Sequence, residues 1–247
     1  MEQWEKSRIQ DEKEIQSSIM KIGGFQKVSL VDYPGKICAV VFLQGCNFRC
    51  PYCHNPELVQ PERFSERIPS SIVINFLRKR QKLLDAVTIS GGEPTIHPDI
   101  IDLITDIKAL GYCIKLDTNG SNRDILEKLI LNKWIDYIAM DIKAPINKYD
   151  FVVGQTVSIK LIQRSVHLVI NSKVDYEFRT TIDWDLLNKA DLLSIAIMVK
   201  GAKRLFLQKL NQNFSQRVIT TDLEQKNAEL PEIAEELSKY VQTCVIR

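Results

Sequence analysis

Between Lys36 and Gln208, six short runs rich in β-branched residues alternate with longer stretches of helical period. Such alternation builds a parallel sheet whose strands are joined by crossover helices. The strands are expected at Ile37–Leu43, Ala86–Ser90, Cys113–Asp117, Tyr137–Asp141, Tyr176–Ile182 and Arg204–Gln208. The first reads Ile-Cys-Ala-Val-Val-Phe-Leu, the near-continuous apolar run of a strand covered on both faces. Helices are expected near 70–83, 98–110, 122–133, 157–171 and 185–199, with Pro69 and Pro98 where a helix start accepts proline and Gly111 past a helix end. Six units fall short of a closed eightfold barrel, which takes about 250 residues with every unit present. The expected fold is α/β: a partial (β/α)6 TIM-like barrel of parallel strands with an open side. After Asn211 the sequence reads as a polar loop, a helix near 231–242 and a short terminal strand. Residues 1–19 lie outside the pattern and are expected to form an appended helix or arm, leaving 20–247 as the barrel domain.

Composition narrows the function classes. Hydrophobic residues make up 45% and charged residues 26%, an ordinary globular balance. With 33 basic against 31 acidic side chains the formal charge is +2, so no global field draws nucleic acid or an anionic membrane. The longest apolar stretch, Ile37 to Phe48, is broken by Gln44, Gly45 and Asn47. It falls well below the roughly 20 residues that span a bilayer. The first twenty residues are charged and lack the apolar core of a secretory signal. Six cysteines without framework spacing then fit a reducing, cytoplasmic setting.

Three of those cysteines are concentrated after the first strand. Cys46, Cys50 and Cys53 follow the spacing C-x3-C-x2-C in a polar turn with Gly45, Asn47, Arg49 and Asn55. Three thiolates can hold three irons of a cubane iron–sulfur cluster, whereas a closed electron carrier uses four, so the fourth iron would be open to a substrate. Two other patterns overlap. Cys50-Pro51-Tyr52-Cys53 is a C-x-x-C of the thiol–disulfide exchange type, and His54 extends it to the C-x-x-C-H of covalent haem attachment. Haem attachment needs export, for which no signal is present, and thiol exchange leaves Cys46 without a role.

The remaining motifs fall at the carboxyl ends of later strands, where parallel α/β folds meet their ligands. Ser90-Gly91-Gly92-Glu93-Pro94 follows the second strand, Asp117-Thr118-Asn119-Gly120 the third and Asp141-Ile142-Lys143 the fourth, while Arg179 lies within the fifth. Glycines let a backbone approach a ligand, and Glu93 beside them could accept hydrogen bonds from an ammonium group. The polar atoms of Thr118 and Asn119 suit ribose hydroxyls. Asp117, Asp141 and Lys143 read either as a solvated salt-bridge set or as a holder for a carboxylate, directly or through a cation.

These residues resemble the radical S-adenosylmethionine enzymes, whose signature is C-x3-C-x-aromatic-C with Tyr52 in the aromatic place. Ser29-Leu30-Val31-Asp32-Tyr33-Pro34-Gly35, Phe42-Leu43-Gln44-Gly45-Cys46-Asn47 and Cys53-His54-Asn55-Pro56 are similar to segments of the anaerobic ribonucleoside-triphosphate reductase activating proteins, relatives of the pyruvate formate-lyase activases. The resemblance begins near Ile22 and does not cover the first 19 residues.

It implies that Cys46, Cys50 and Cys53 bind a [4Fe–4S] cluster whose open iron chelates the amino and carboxylate groups of S-adenosylmethionine. It places Gly91, Gly92 and Glu93 at the methionyl ammonium, Asn119 nearer the ribose, Arg179 near the nucleotide and Tyr52 beside the adenine. Asp117, Thr118 and Asp141, with Lys143 beside them, match a carboxylate region that can include a monovalent cation. The implied chemistry is one-electron cleavage of S-adenosylmethionine, giving a 5′-deoxyadenosyl radical that takes a hydrogen atom from a glycine of a partner protein. The implied partners are an anaerobic ribonucleotide reductase and a flavodoxin- or ferredoxin-type reductant, with no nucleic acid and no membrane. No catalytic side chain beyond the cluster and cofactor is expected; of the histidines, His54 is expected to bear on the cluster environment, and His97 and His167 to be structural. Two other functions fit parts of the pattern: a small-molecule radical enzyme such as a 7-carboxy-7-deazaguanine synthase, and a thiol–disulfide oxidoreductase using Cys50 and Cys53.

Overall fold

The computed structural model describes residues 20–211 and 222–247; the arm expected over 1–19 and most of the polar loop expected after Asn211 lie outside the described residues. Eight strands form one sheet in sequence order. They are β1 (Ile22–Ser29), β2 (Cys38–Leu43), β3 (Ala86–Gly91), β4 (Cys113–Thr118), β5 (Tyr137–Asp141), β6 (Asp175–Ile182), β7 (Leu205–Lys209) and β8 (Cys244–Ile246). From β2 to β8 every neighbour is parallel, as the alternation predicts. Since β1 and β8 each have a neighbour on one side only, the sheet is an open, partial barrel.

β1 is absent from the sequence-based reading, and the physical reason is its character as an edge. It pairs antiparallel with β2, carries Gly23 and Gly24, breaks register twice and leaves most side chains partly or fully exposed. It therefore lacks the apolar continuity that marks a buried strand. Antiparallel pairing sets Ile22 opposite Leu43, so the chain enters the fold beside the carboxyl end of β2, where the cysteines begin.

The helices are α1 (Pro56–Val59), α2 (Ser70–Lys79), α3 (Ile100–Ala109), α4 (Arg123–Leu131), α5 (Tyr149–Val153), α6 (Ile159–Ile170), α7 (Lys189–Met198), α8 (Leu223–Ala228) and α9 (Leu230–Leu237). Each expected helix is present but shorter. α7 starts at Lys189 rather than 185 because Asn188 and Asp191 form a reciprocal capping box. α9 ends at Leu237, short of 242. No helix among the described residues is long and apolar enough to cross a membrane.

Strand alternation sorts the two faces of the sheet. One set, including Val41, Ile89, Leu116, Ile138, Met140, Phe178 and Leu207, packs with Leu77, Ile104, Leu126, Val166 and Ile195 of the surrounding helices in one continuous core. The alternate set faces the barrel interior. At its amino end Tyr33, Cys38, Val40, Ala86, Tyr137 and Ala139 form a second, small apolar cluster, with the Tyr33 and Tyr137 rings 5.7 Å apart. Toward the carboxyl end the interior turns polar, with Thr88, Lys115 and Glu177 all buried. Truncating the fully buried Phe178 to Ala is expected to cost about 3–5 kcal/mol by loss of burial and a residual cavity. Chemical denaturation checks this, with an unchanged m value showing that the native state is still compact.

Candidate active site

The loops after β2, β3, β4 and β5 enclose a cavity of about 380 Å³. Cys46, Cys50, Tyr52, Cys53, Gly91, Gly92, Asp117, Thr118, Asn119, Asp141, Lys143 and Arg179 all line it, which is every expected site residue except Glu93. Local geometry explains the convergence. Gly45 leaves β2 with φ +101, a conformation glycine adopts without strain. Its amide donates to the Leu58 carbonyl at 2.6 Å, and its own carbonyl accepts from the Glu93 amide at 2.8 Å. Gly92 packs so closely on Gly45 that a Cβ there would lie 1.9 Å from the Gly45 oxygen. Its glycine is thus needed to bring the β3 loop against the cysteine loop.

The far side of the cysteine loop is fixed by α5, an element the sequence reading did not place. The Arg49 amide donates to the Val153 carbonyl at 2.7 Å, and the Phe48 and Tyr149 rings meet edge to face at 6.4 Å. The Arg49 guanidinium donates to the carbonyls of Cys46 at 2.6 Å and Phe48 at 2.7 Å. Asn119 reaches the same loop, donating to Asn47 at 3.0 Å.

Glu93 stands beneath the cavity floor rather than on it. It is fully buried, and its carboxylate accepts from the Thr95 amide at 3.1 Å, the Thr95 hydroxyl at 2.5 Å, the Thr118 hydroxyl at 2.7 Å and the Asn119 amide at 2.6 Å. Burial pushes its carboxyl up while these donors pull it down, with burial the larger. Glu93 ties the β3 loop to the β4 loop.

Five charges alternate in sign, four of them on the cavity wall and Lys115 buried behind: Lys115, Asp117, Arg179, Asp141 and Lys143. Lys115 pairs with Asp117; Arg179 reaches Asp117 at 3.4 Å and Asp141 at 2.8 Å; Lys143 reaches Asp141 at 2.8 Å. Ser90 adds a hydrogen bond to Asp117 at 3.1 Å. Asp141 and Arg179 are register partners on β5 and β6, so the chain of charges follows directly from strand pairing. Burial opposes ionisation of both aspartates, yet the Arg179 guanidinium and the neighbouring lysines outweigh it and hold both carboxyls below the usual range. All four carboxylate oxygens are thereby engaged.

Sequence reasoning missed several participants. Lys115, two residues before Asp117 and therefore on the same strand face, is the one period-2 signal that could have been read. Ser90 belongs to the expected glycine loop without a role of its own, and Asp32 and Gln208 line the cavity unassigned; His54, expected to bear on the cluster environment, lines it too.

The donor set fits an iron–sulfur cluster. All three thiols are free and face one void. Among the described residues no three His, Cys, Asp or Glu side chains close on a point as a single metal ion requires. Burial raises all three thiols, Cys46 up to about 12, which is the reverse of the lowered thiol that disulfide exchange needs.

Replacing Arg179 with Met is expected to leave two buried aspartates facing one another and to cost about 3–5 kcal/mol at neutral pH. In the native chain both carboxyls titrate below their unfolded value of about 3.9, so their contribution is present above that pH and fades as pH falls. The stability gap between wild type and variant should therefore narrow as pH falls from about 5 to about 2, where the aspartates take up protons. Urea midpoints across that range measure it.

Comparison with known proteins agrees with this geometry. Residues 40–184 match the Radical SAM superfamily. A Methanocaldococcus jannaschii protein named "Putative glycyl-radical enzyme activating enzyme" is 33% identical over 235 residues, covering 92% of this chain and 95% of its own. The pyruvate formate-lyase-activating enzyme of Clostridium pasteurianum is 34% identical over 127 residues, about half of each chain (50% and 52%). Among solved structures, Streptococcus suis SuiB bound to precursor peptide SuiA aligns with TM-score 0.66 at 13% identity, over 84% of this chain and 48% of that one. A domain of pyruvate-formate lyase-activating enzyme from Bacteroides vulgatus aligns with TM-score 0.51 at 16% identity, over 66% of this chain and 99% of that one. The structural likenesses establish the fold, and the sequence relationships establish that this chain belongs to the Radical SAM superfamily, among its glycyl-radical enzyme activating enzymes.

Proposed function

We propose that the chain installs a glycyl radical on an anaerobic ribonucleoside-triphosphate reductase, using a [4Fe–4S] cluster and S-adenosylmethionine bound in this cavity. The observation that carries the reading is the meeting of three free thiols, two glycines and a buried chain of charges around one void. A bound cluster would supply the electron for reductive cleavage of S-adenosylmethionine, chemistry that would end in hydrogen-atom removal from a glycine of the partner.

The chain's own residues do the positioning. Cys46, Cys50 and Cys53 would hold the cluster. Lys143, kept charged by Asp141, bears on Cys46 and Cys50 and would receive the methionyl carboxylate. The backbone of Gly91 and Gly92 would take the ammonium, with Glu93 holding that loop from below. Thr118, Asn119 and Arg179 would face the ribose, and Tyr52 the adenine. A monovalent cation at Asp117 and Asp141 would compete with Lys115, Arg179 and Lys143 for carboxylate oxygens already engaged. The reductase as partner is supported by the similarity over Ser29–Gly35 and Cys53–Pro56.

Three outcomes test the reading. Anaerobic reconstitution should give about four irons per chain, and Cys46→Ala, Cys50→Ala or Cys53→Ala should each abolish stable cluster binding. Lys143→Met should weaken S-adenosylmethionine binding by about ten- to hundredfold, the worth of a charge-assisted hydrogen bond, as read by titration of the reconstituted protein. The loaded protein should raise an organic radical signal on the anaerobic ribonucleotide reductase of its own organism and none on pyruvate formate-lyase. A signal only on pyruvate formate-lyase would replace the partner, and a signal on neither would overturn the activase reading.

A further inference from the structure

A second, larger cavity lies away from the cysteines. It is a cleft of about 960 Å³ that runs between α4 and α6 down to the turns leading into β5 and β6, and it shares no lining residue with the active-site cavity. Cavities of this order take organic ligands. The floor is aliphatic: Ile135 is buried, Ile130, Leu168 and Val174 are half-buried, and Leu131 is 71% exposed. No phenyl, phenol or indole ring lines the cleft among the described residues, so an alkyl chain finds a surface there and a nucleobase finds no stacking partner.

The polar rim is unevenly committed. Asp136 is paired with Lys108, Asp175 with Lys203 and Arg204, and Arg123 with Glu127. Lys133, Arg164 and Lys173 are exposed and pair with no carboxylate among the described residues. Cations often gather at helix ends to meet the last carbonyls. Here the side chains of Asn132, Asn171 and Ser172 already donate to the carbonyls of Lys128, His167 and Val169. Lys133 moreover sits at φ +56, a left-handed conformation that glycine adopts without strain and a lysine does not. A lysine held there at such a cost points to a use for its charge. Both helices bring their carboxyl ends to the cleft, and those dipoles oppose a concentrated dianion. One diffuse negative charge therefore fits the rim better than a phosphate.

We propose that this cleft binds a free aliphatic carboxylate, its chain on Ile130, Leu131, Ile135, Leu168 and Val174 and its head group at Lys133, Arg164 and Lys173. The site is separate from the proposed activase reaction and stands or falls independently of it. No bond is made or broken in it.

Calorimetry on the reconstituted full chain tests this, with laurate below its micelle concentration as the probe. Laurate should bind, dodecanol should bind about tenfold more weakly for want of the charge, and acetate should not bind detectably for want of the chain. Lys133→Gly should weaken laurate binding about tenfold while its urea midpoint holds or rises, since glycine relieves the left-handed backbone. A lysine with a structural role alone would leave binding unchanged. Arg164→Glu should lose more, by repulsion of the head group, with iron content unchanged. The proposal is overturned if laurate fails to bind the wild-type chain, if dodecanol binds as tightly, if dodecyl phosphate binds more tightly, or if Lys133→Gly binds laurate as wild type does. Capture of the chain by anionic phospholipid vesicles that laurate does not displace would overturn it too.

Discussion

The alternating chain of Lys115, Asp117, Arg179, Asp141 and Lys143 is the interaction on which the site is built. Taking charges out of water is costly, and each here is retained only because a partner of opposite sign stands beside it. The two carboxylates come from the ends of β4 and β5 and the guanidinium from the middle of β6, so three neighbouring strands are locked together by one network. The buried Glu177 also bears on Arg179, so the three cations face three carboxylates rather than two. The terminal member of the network, Lys143, is the one whose charge bears on the thiols. Lys143 draws the thiols toward thiolate, while burial is the larger effect and holds all three raised.

A second device works at right angles to the first. Gly45, Gly92 and Glu93 weld the cysteine loop to the loops after β3 and β4: Gly92 by close approach, Glu93 by four hydrogen bonds. A residue expected to meet the ligand's ammonium group thus holds the backbone that lines the cavity. The consequence is a cavity whose lining loops are held by their own hydrogen bonds and close contacts.

How much of this was legible in the sequence depends on whether the determining contact was local. The parallel strands were legible because each carries a buried apolar run, and the motifs were placed because strand ends are where such folds present ligands. Strand β1 was not, since Gly23, Gly24 and an exposed face erase its period. The role of Glu93 was not legible because the Thr118 and Asn119 donors lie 25 and 26 residues away. Lys115 carries no motif of its own; its role follows from Asp117 two residues on and from Arg179, which β6 brings beside Asp117. Helix α5, five residues long, is too short to announce itself by periodicity, yet it clamps the cysteine loop.

The account's central claim is that three thiolates leave one iron of the cluster to S-adenosylmethionine. Mössbauer spectroscopy of protein reconstituted with ⁵⁷Fe tests this most directly. On adding S-adenosylmethionine, about one iron in four should change its isomer shift as its coordination changes. A spectrum in which all irons stay equivalent and unmoved would contradict the account.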